Sequence, residues 1–232
     1  MQDIQAHVES VCRAAKEASR TFGSTSTAKK NALLCAMADQ LTADCAVILA
    51  ANAEDLSAAA ENGVPKTMLD RLKLDEKRLA GICAALREVA ALPDPIGSGE
   101  QTIRPNGLVI RHIRAPMGCV AMIYEARPNV TVDAAALCLK TGNAVVLRGG
   151  KEAIRSSMAL VESMRKALVA HGFSPDLIGP LRLPSMYPLP PIPPITSGIC
   201  PALLTRLPFP WQVLLTAIST PTSGSILPIW AT

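Results

Sequence analysis

Acidic side chains stop at Asp176. All 19 Asp and Glu residues of the 232-residue chain lie at or before that position. The 56 residues from Leu177 to Thr232 hold two charges, Arg182 and Arg206, together with 12 of the 19 prolines and both tryptophans. A solvated linker is more polar than this. Helices and central strands tolerate few prolines, because each removes a backbone donor and fixes φ. An ordinary folded domain therefore has to come from residues 1–176. Residues 177–232 are expected to be a disordered, irregular tail unrelated to that domain.

Residues 1–176 suffice for one sizeable core. With 49% hydrophobic residues, 18% charged and a net charge of +4, the chain reads as soluble and globular. A dedicated nucleic-acid binder would concentrate Lys and Arg on one face, so no nucleic-acid partner is expected. Cys12, Cys35, Cys45, Cys83, Cys119, Cys138 and Cys200 are odd in number and scattered without a CxxC pair. That excludes a disulfide framework and offers no metal site. No basic region followed by an apolar run opens the chain. No proline-free apolar stretch reaches the roughly 18 residues of a membrane span. The expected location is the cytoplasm, with no membrane partner.

Helical periodicity dominates the first ninety or so residues. Ile4, Val8, Val11, Cys12, Ala15 and Phe22 recur at three- and four-residue steps, with Asp3 placed as a cap. Ser26 or Thr27 can cap a second helix carrying Leu33, Leu34, Met37 and Leu41. A third runs from Ala43 to about Ala60 and stops at Asn62-Gly63, and a further helix spans Leu69 to Leu92 before Pro93-Asp94-Pro95. The pattern then changes. Leu108 to Ile113 alternates like a strand after the Asn106-Gly107 turn, and Gly118 to Tyr124 is a nearly continuous apolar run. A helix from about Thr131 to Lys140, a buried strand at Ala144–Leu147 and a helix from Lys151 to about Ala170 follow. Strand, helix, strand, helix with short links predicts an α/β fold with a parallel sheet.

Ligands of such sheets bind beyond the carboxyl ends of the strands. One end is Arg148-Gly149-Gly150-Lys151, where two glycines, two cations and a helix start suit an anion such as phosphate. The spacing is neither a P-loop nor GxGxxG, and a tight turn with solvated cations explains it equally well. At the other end Glu125, Arg127 and Asn129 alternate along an extended segment and could share one pocket. A salt bridge plus an asparagine cap on the helix at Thr131 is the plainer account.

The run from Ile123 to Ala153, and above all Tyr124-Glu-Ala-Arg-Pro-Asn-Val-Thr131, resembles the signature of the glutamate-5-semialdehyde dehydrogenases, also called γ-glutamyl phosphate reductases. Ala51-Asn-Ala-Glu-Asp55, Met68-Leu-Asp-Arg-Leu72, Leu92-Pro-Asp-Pro95 and Arg104-Pro-Asn-Gly-Leu108 look like that family's landmarks in the same order. The resemblance implies an aldehyde-dehydrogenase-like fold, with a helical N-terminal layer and part of a parallel, Rossmann-like sheet from an NADP-binding domain. It also implies NADPH-dependent reduction of L-glutamate 5-phosphate to glutamate 5-semialdehyde in proline biosynthesis, through a cysteine thioester. Asn129 matches the family's oxyanion donor. Arg148, Gly149 and Lys151 match the region that holds the cofactor's ribose and phosphate, and Glu125 and Arg127 fall towards the substrate. The implied partners are a second copy of the chain and the preceding kinase of the pathway.

The family's Gly-x-Gly-Asn-Cys-His nucleophile motif is absent, and Cys200, in Ser-Gly-Ile-Cys-Pro, does not match it. Read two bases out of frame, generic codons for Leu204–Val213 permit Asn-Ala-Thr-Thr-Val-Pro-Val-Ala-Gly, and those for Thr216–Thr220 permit Cys-His-Ile-Tyr. Such residues precede and include the family's nucleophile. The tail is therefore expected to be a frameshifted reading and the chain a truncated, inactive form. The alternative is a non-catalytic nucleotide-binding or oligomerisation fragment.

Overall fold

A computed structural model describes residues 2–182 and 214–217, with backbone alone for 2, 3 and 214–217. Expectations for Cys200 and most of the tail lie outside the described residues. Five helices come first: α1 (Gln2–Phe22), α2 (Thr27–Ala43), α3 (Cys45–Glu61), α4 (Lys66–Leu72) and α5 (Glu76–Ala91). A hairpin of β1 (Gly99–Ile103) and β2 (Val109–Ile113) follows. Then come β3 (Cys119–Ile123), α6 (Pro128–Lys140), β4 (Ala144–Arg148), α7 (Ile154–Ala170), β5 (Ile178–Pro180) and β6 (Leu214–Ala217).

The second sheet has the order β5-β4-β3-β6, with β3, β4 and β5 parallel and β6 antiparallel to β3. In β4, Ala144, Val145, Val146 and Leu147 are all buried, which is why that strand reads as an unbroken apolar run. Its cover comes from α6 through Val132 and Leu139, and from α7 through Leu160, Met164 and Leu168. Leu33, Leu34, Met37 and Leu41 of α2 pack into the same core with Leu79 and Leu86 of α5. On the flank, α1 lies so close to β5 that a Cβ on Gly179 would meet Val11 Cγ1 at 2.8 Å. Phe22 meets Phe173 edge-on, with ring centroids 5.3 Å apart. The aldehyde-dehydrogenase-like α/β arrangement expected from the resemblance is present. The sheet also continues past Asp176, since β5 begins at Ile178 and Leu181 N–H donates to Leu147 O at 2.8 Å.

Three local expectations need correction. The helix expected over Leu69–Leu92 is two helices, because Lys73 to Asp75 leave the helical path and the Asp75 carboxylate accepts from Arg78 N–H at 2.8 Å as a cap. The sixth helix begins at Pro128 rather than Thr131. Proline suits its first position, where no intrahelical donor is needed. The strand β1 was not anticipated: Gly-Glu-Gln-Thr-Ile is exposed at every position and carries no apolar face.

Buried polar groups hold the helices to one another. Lys30, 2% exposed, pairs with Asp94 at 2.5 Å. Asp94 also accepts from Thr27 Oγ1 at 2.7 Å and Ile96 N–H at 3.0 Å. Burial pushes the Asp94 carboxyl up, but these three donors outweigh it and hold the group down at about 2. Lys140 donates to Asn31 Oδ1 at 2.7 Å and to the Ala90 carbonyl at 2.8 Å, tying α6 to α2 and α5.

Candidate functional site

The carboxyl ends of β3 and β4 are stitched together before any ligand is considered. Tyr124 N–H donates to Arg148 O at 3.0 Å, so the two chains leave the sheet side by side. The Tyr124 hydroxyl shares a 2.8 Å hydrogen bond with Thr131 Oγ1, which donates to Ser157 Oγ at 3.3 Å. A Cβ on Gly149 would lie 3.1 Å from the Tyr124 ring, and one on Gly150 would lie 2.8 Å from Ala126 N. These glycines therefore let one strand-end loop press against the other.

A second feature also departs from expectation. The chain after β4 makes a single 3-10 turn over Lys151–Ala153 before α7 starts. The first amides of α7 are already taken. Asp55, on α3, accepts from Ser156 N–H at 2.8 Å, from Ser156 Oγ at 2.7 Å and from Arg155 N–H at 3.3 Å. With a buried carboxylate capping it, that helix start is not an open anion site. Any phosphate here relies on the side chains of Arg148 and Lys151. Among the described residues the Arg148 side chain has only a 3.3 Å contact to the Gly149 carbonyl, and the Lys151 side chain makes no hydrogen bond or ion pair.

Three adjoining cavities follow the strand ends. The first is lined by Tyr124, Arg148, Gly149, Gly150, Lys151 and Ser157, among others. The second, about 430 Å³, shares Tyr124, Arg148 and Gly150 with it and adds Arg71, Glu125, Arg127 and Glu152. The third, about 490 Å³, contains Arg71, Lys73, Arg127, Asn129 and Asp133. The volumes of the second and third suit small-molecule ligands, whereas the first is a shallow cleft of about 30 Å³ that opens onto the second. Glu125, Arg127 and Asn129 do not line one pocket. Arg127 and Glu125 face the middle cavity, while Asn129 sits in the first turn of α6 and lines the third. Nor does Asn129 cap a helix. Its Nδ2 leans towards Asp133 Oδ2 at 3.5 Å, and burial raises the Asp133 carboxyl against that hydrogen bond.

Arg127 Nε is buried with no acceptor among the described residues. Such a donor costs about 1–3 kcal/mol when left unmade. Arg71 is exposed and makes no hydrogen bond or ion pair among the described residues, although it lines the same two cavities. Arg71 escaped notice in the sequence because a lone basic residue on a short helix carries no signal; only the Met68–Leu72 landmark marked the place. Burial disfavours the thiolate form of two cysteines near the sheet. Burial and the neighbouring Cys12 push Cys119 up to about 11, and burial, with Cys119 adding to it, pushes Cys138 up to about 12. Among the described residues, no group of three or more His, Cys, Asp or Glu could hold a metal ion. No single described helix is long and apolar enough to cross a membrane.

The decisive comparison is with family models, where residues 2–180 match that of the aldehyde dehydrogenase family. The chain belongs to the aldehyde dehydrogenase family. Within it, the γ-glutamyl phosphate reductase of Xanthomonas campestris pv. campestris (strain B100) is 58% identical over 154 residues, covering 66% of this chain and 37% of that protein. The crystal structure of the γ-glutamyl phosphate reductase of Thermotoga maritima superposes with a TM-score of 0.72 at 34% identity, over 75% of this chain and 42% of that one. That of Saccharomyces cerevisiae gives 0.69 at 26% identity, over 74% and 45%. The chain thus spans under half the length of these relatives. What it contributes to an aldehyde dehydrogenase is the helical layer, the first parallel strands and the strand-end groove.

Proposed function

We propose that residues 2–182 form the first part of the NADP-binding domain of an L-glutamate 5-phosphate reductase, and that the strand-end groove is shared by cofactor and substrate. The observation that carries this is the groove itself. It joins Arg148 and Lys151 at one end to Arg127 and Asn129 at the other, and the named relatives are reductases of γ-glutamyl phosphate.

NADP(H) fits the donor set of the first cavity. Arg148 and Lys151 place two cations there without an acidic partner within ion-pair distance among the described residues, as a phosphorylated ribose requires. When bound, the dihydronicotinamide supplies hydride for reduction of the acyl group. The chain's own residues bind and orient. Lys151 and Arg148 hold the nucleotide's anionic end, and Tyr124, fixed by Thr131, shapes the floor between the ligands. Asn129 donates from Nδ2 to the oxygen of the reacting carbonyl as charge develops on it. Arg127 lies towards the substrate anion, and Glu125 towards its ammonium end. The full assembly is a homo-oligomer, to which the exposed Ile103, Leu108, Val109 and Ile113 of the β1–β2 hairpin offer an apolar surface.

One observation favours a second reading of the same site. The sequence has no Gly-x-Gly-Asn-Cys-His motif, so this chain has no matching nucleophile and is a non-catalytic nucleotide binder. Fluorescence titration of the 232-residue chain with NADPH and NADH, paired with an assay on L-glutamate 5-phosphate, tests both. Saturable NADPH binding that Arg148→Ala with Lys151→Ala weakens roughly tenfold or more is the expected result. Binding without turnover selects the second reading. Absence of nucleotide binding overturns the nucleotide assignment in both.

A further inference from the structure

Sequence neighbours of Arg71 are held more firmly than a seven-residue surface helix requires. Asn52, buried on α3, donates from Nδ2 to Leu72 O at 2.9 Å and accepts from Leu74 N–H at 2.8 Å. From the other side Arg78 Nη1 donates to the carbonyls of Asp70 and Lys73, at 2.5 Å and 2.7 Å. Both strands of hydrogen bonding grip the backbone of residues 70–74 and leave the side chains of Arg71 and Lys73 free. Asp70, the adjacent acid, is committed to Arg78 at 2.9 Å. The segment therefore presents unneutralised positive charge at a fixed place.

That place faces Arg127. Arg71 and Arg127 are the two residues common to the second and third cavities. Glu125 and Glu152 line the second cavity with them, yet neither forms an ion pair with either arginine. Two arginines, one with a buried Nε lacking an acceptor among the described residues, line the same space from α4 and from the N-cap of α6. The third cavity also holds Asp70, which is paired with Arg78, and Asp133, whose carboxyl is raised by burial; no acid among the described residues forms an ion pair with Arg71 or Arg127, so both guanidinium groups keep their donors for a visiting anion.

We infer that Arg71 and Arg127 form a clamp for an oxyanion, phosphate or carboxylate, of the small-molecule substrate, with Lys73 adding to the local positive potential. This rests on the reading of the groove as a substrate site. It assigns to α4 a recognition role and makes Asn52 and Arg78 the residues that position Arg71. Planar guanidinium forks suit both phosphate and carboxylate, so the shared chemistry is the oxyanion.

The test uses the full 232-residue chain and three probes followed by calorimetry and amide NMR: inorganic phosphate, glutarate and NADPH. Wild-type chain is expected to bind phosphate or glutarate saturably, with shifts centred on residues 71–74 and 127–129. Arg71→Ala and Arg127→Ala each weaken that binding roughly tenfold or more, the loss of one charge-assisted contact. NADPH affinity and melting temperature stay unchanged in Arg71→Ala. Weakening for phosphate alone assigns the clamp to a phosphoryl group, and weakening for glutarate alone to a carboxylate. No binding of either probe to wild type, or binding that survives both substitutions, overturns the clamp while NADPH binding leaves the nucleotide reading intact. Failure of NADPH alone sinks the nucleotide reading and spares the clamp. A lowered melting temperature in Arg71→Ala also overturns it, because the residue would then be structural.

Discussion

Two groups of cations in this chain obey opposite rules. Lys30 and Lys140 lie deep among α2, α5 and α6, at 2% and 3% exposure, and each has a placed acceptor: Asp94 for Lys30, Asn31 and the Ala90 carbonyl for Lys140. Arg71, Lys73, Arg127 and Lys151 line the strand-end groove, and none of their side chains makes an ion pair or hydrogen bond among the described residues. A buried charge without a partner is too costly to keep, so the first group exists only because its partners were placed with it. The second group is partly exposed, and the chain bears its modest cost without compensation. The difference separates charge used to hold the fold from charge kept for a ligand.

The sharpest way to break that contrast is to remove Asp94. Asp94→Ala leaves Lys30 buried with no counter-ion and is expected to destabilise the chain by about 3–5 kcal/mol, read from the midpoint of urea unfolding. A loss below about 1 kcal/mol would show that Lys30 finds other partners or water. The same pair gives a pH signature. Folding lowers the Asp94 carboxyl from its ordinary 3.8 to about 2. Its contribution is therefore complete above 3.8 and fades as the pH falls towards about 2, and Asp94→Asn should flatten that acid limb. Smaller, and local, is the effect of Asn52→Ala. It strands the Leu72 carbonyl and the Leu74 amide and should cost about 2 kcal/mol. Hydrogen exchange at Leu74 should quicken, and oxyanion affinity should fall with it. Unchanged exchange would mean that Arg78 alone holds the segment.

How much of this could be read from the residues depends on how local each cause is. The buried strand β4, its Gly-Gly exit and α7 were legible because apolar runs and helical spacing are written in consecutive residues. The break between α4 and α5 was not, since Leu69, Leu72, Leu79, Ile82 and Leu86 keep helical spacing across it; Asp75 ahead of Glu76 was the one available capping signal. Exposed β1 had no period-two apolar face to find. Arg148, Gly149 and Lys151 line one cavity, but the helix start beside them is capped and not free. Its cap, Asp55, sits about a hundred residues earlier in the chain. The landmarks Asn52 and Asp55 likewise show their purpose only in three dimensions, where one grips the Arg71 segment and the other caps α7. Ser156, which accepts from Asn52 at 3.0 Å and donates to Asp55, joins those two tasks. Such long-range polar contacts leave no trace in spacing.

The smallest expected change in stability is also the one that bears most on the groove. Arg127→Met keeps the length and apolar stem of the side chain while deleting a buried Nε that has no acceptor. Removing a buried donor that has no partner relieves a desolvation cost, whereas removing half of a satisfied pair creates one. Unfolding free energy should therefore stay within about 0.5 kcal/mol of wild type or rise by up to about 1 kcal/mol. Over the same substitution, oxyanion binding should be lost. Stability that is preserved or gained as affinity disappears is the mark of a residue retained for a ligand at the expense of the fold. If instead Arg127→Met unfolds as readily as Asp94→Ala, the division between the two groups of cations collapses, and Arg127 has to be counted with Lys30 and Lys140 as part of the framework.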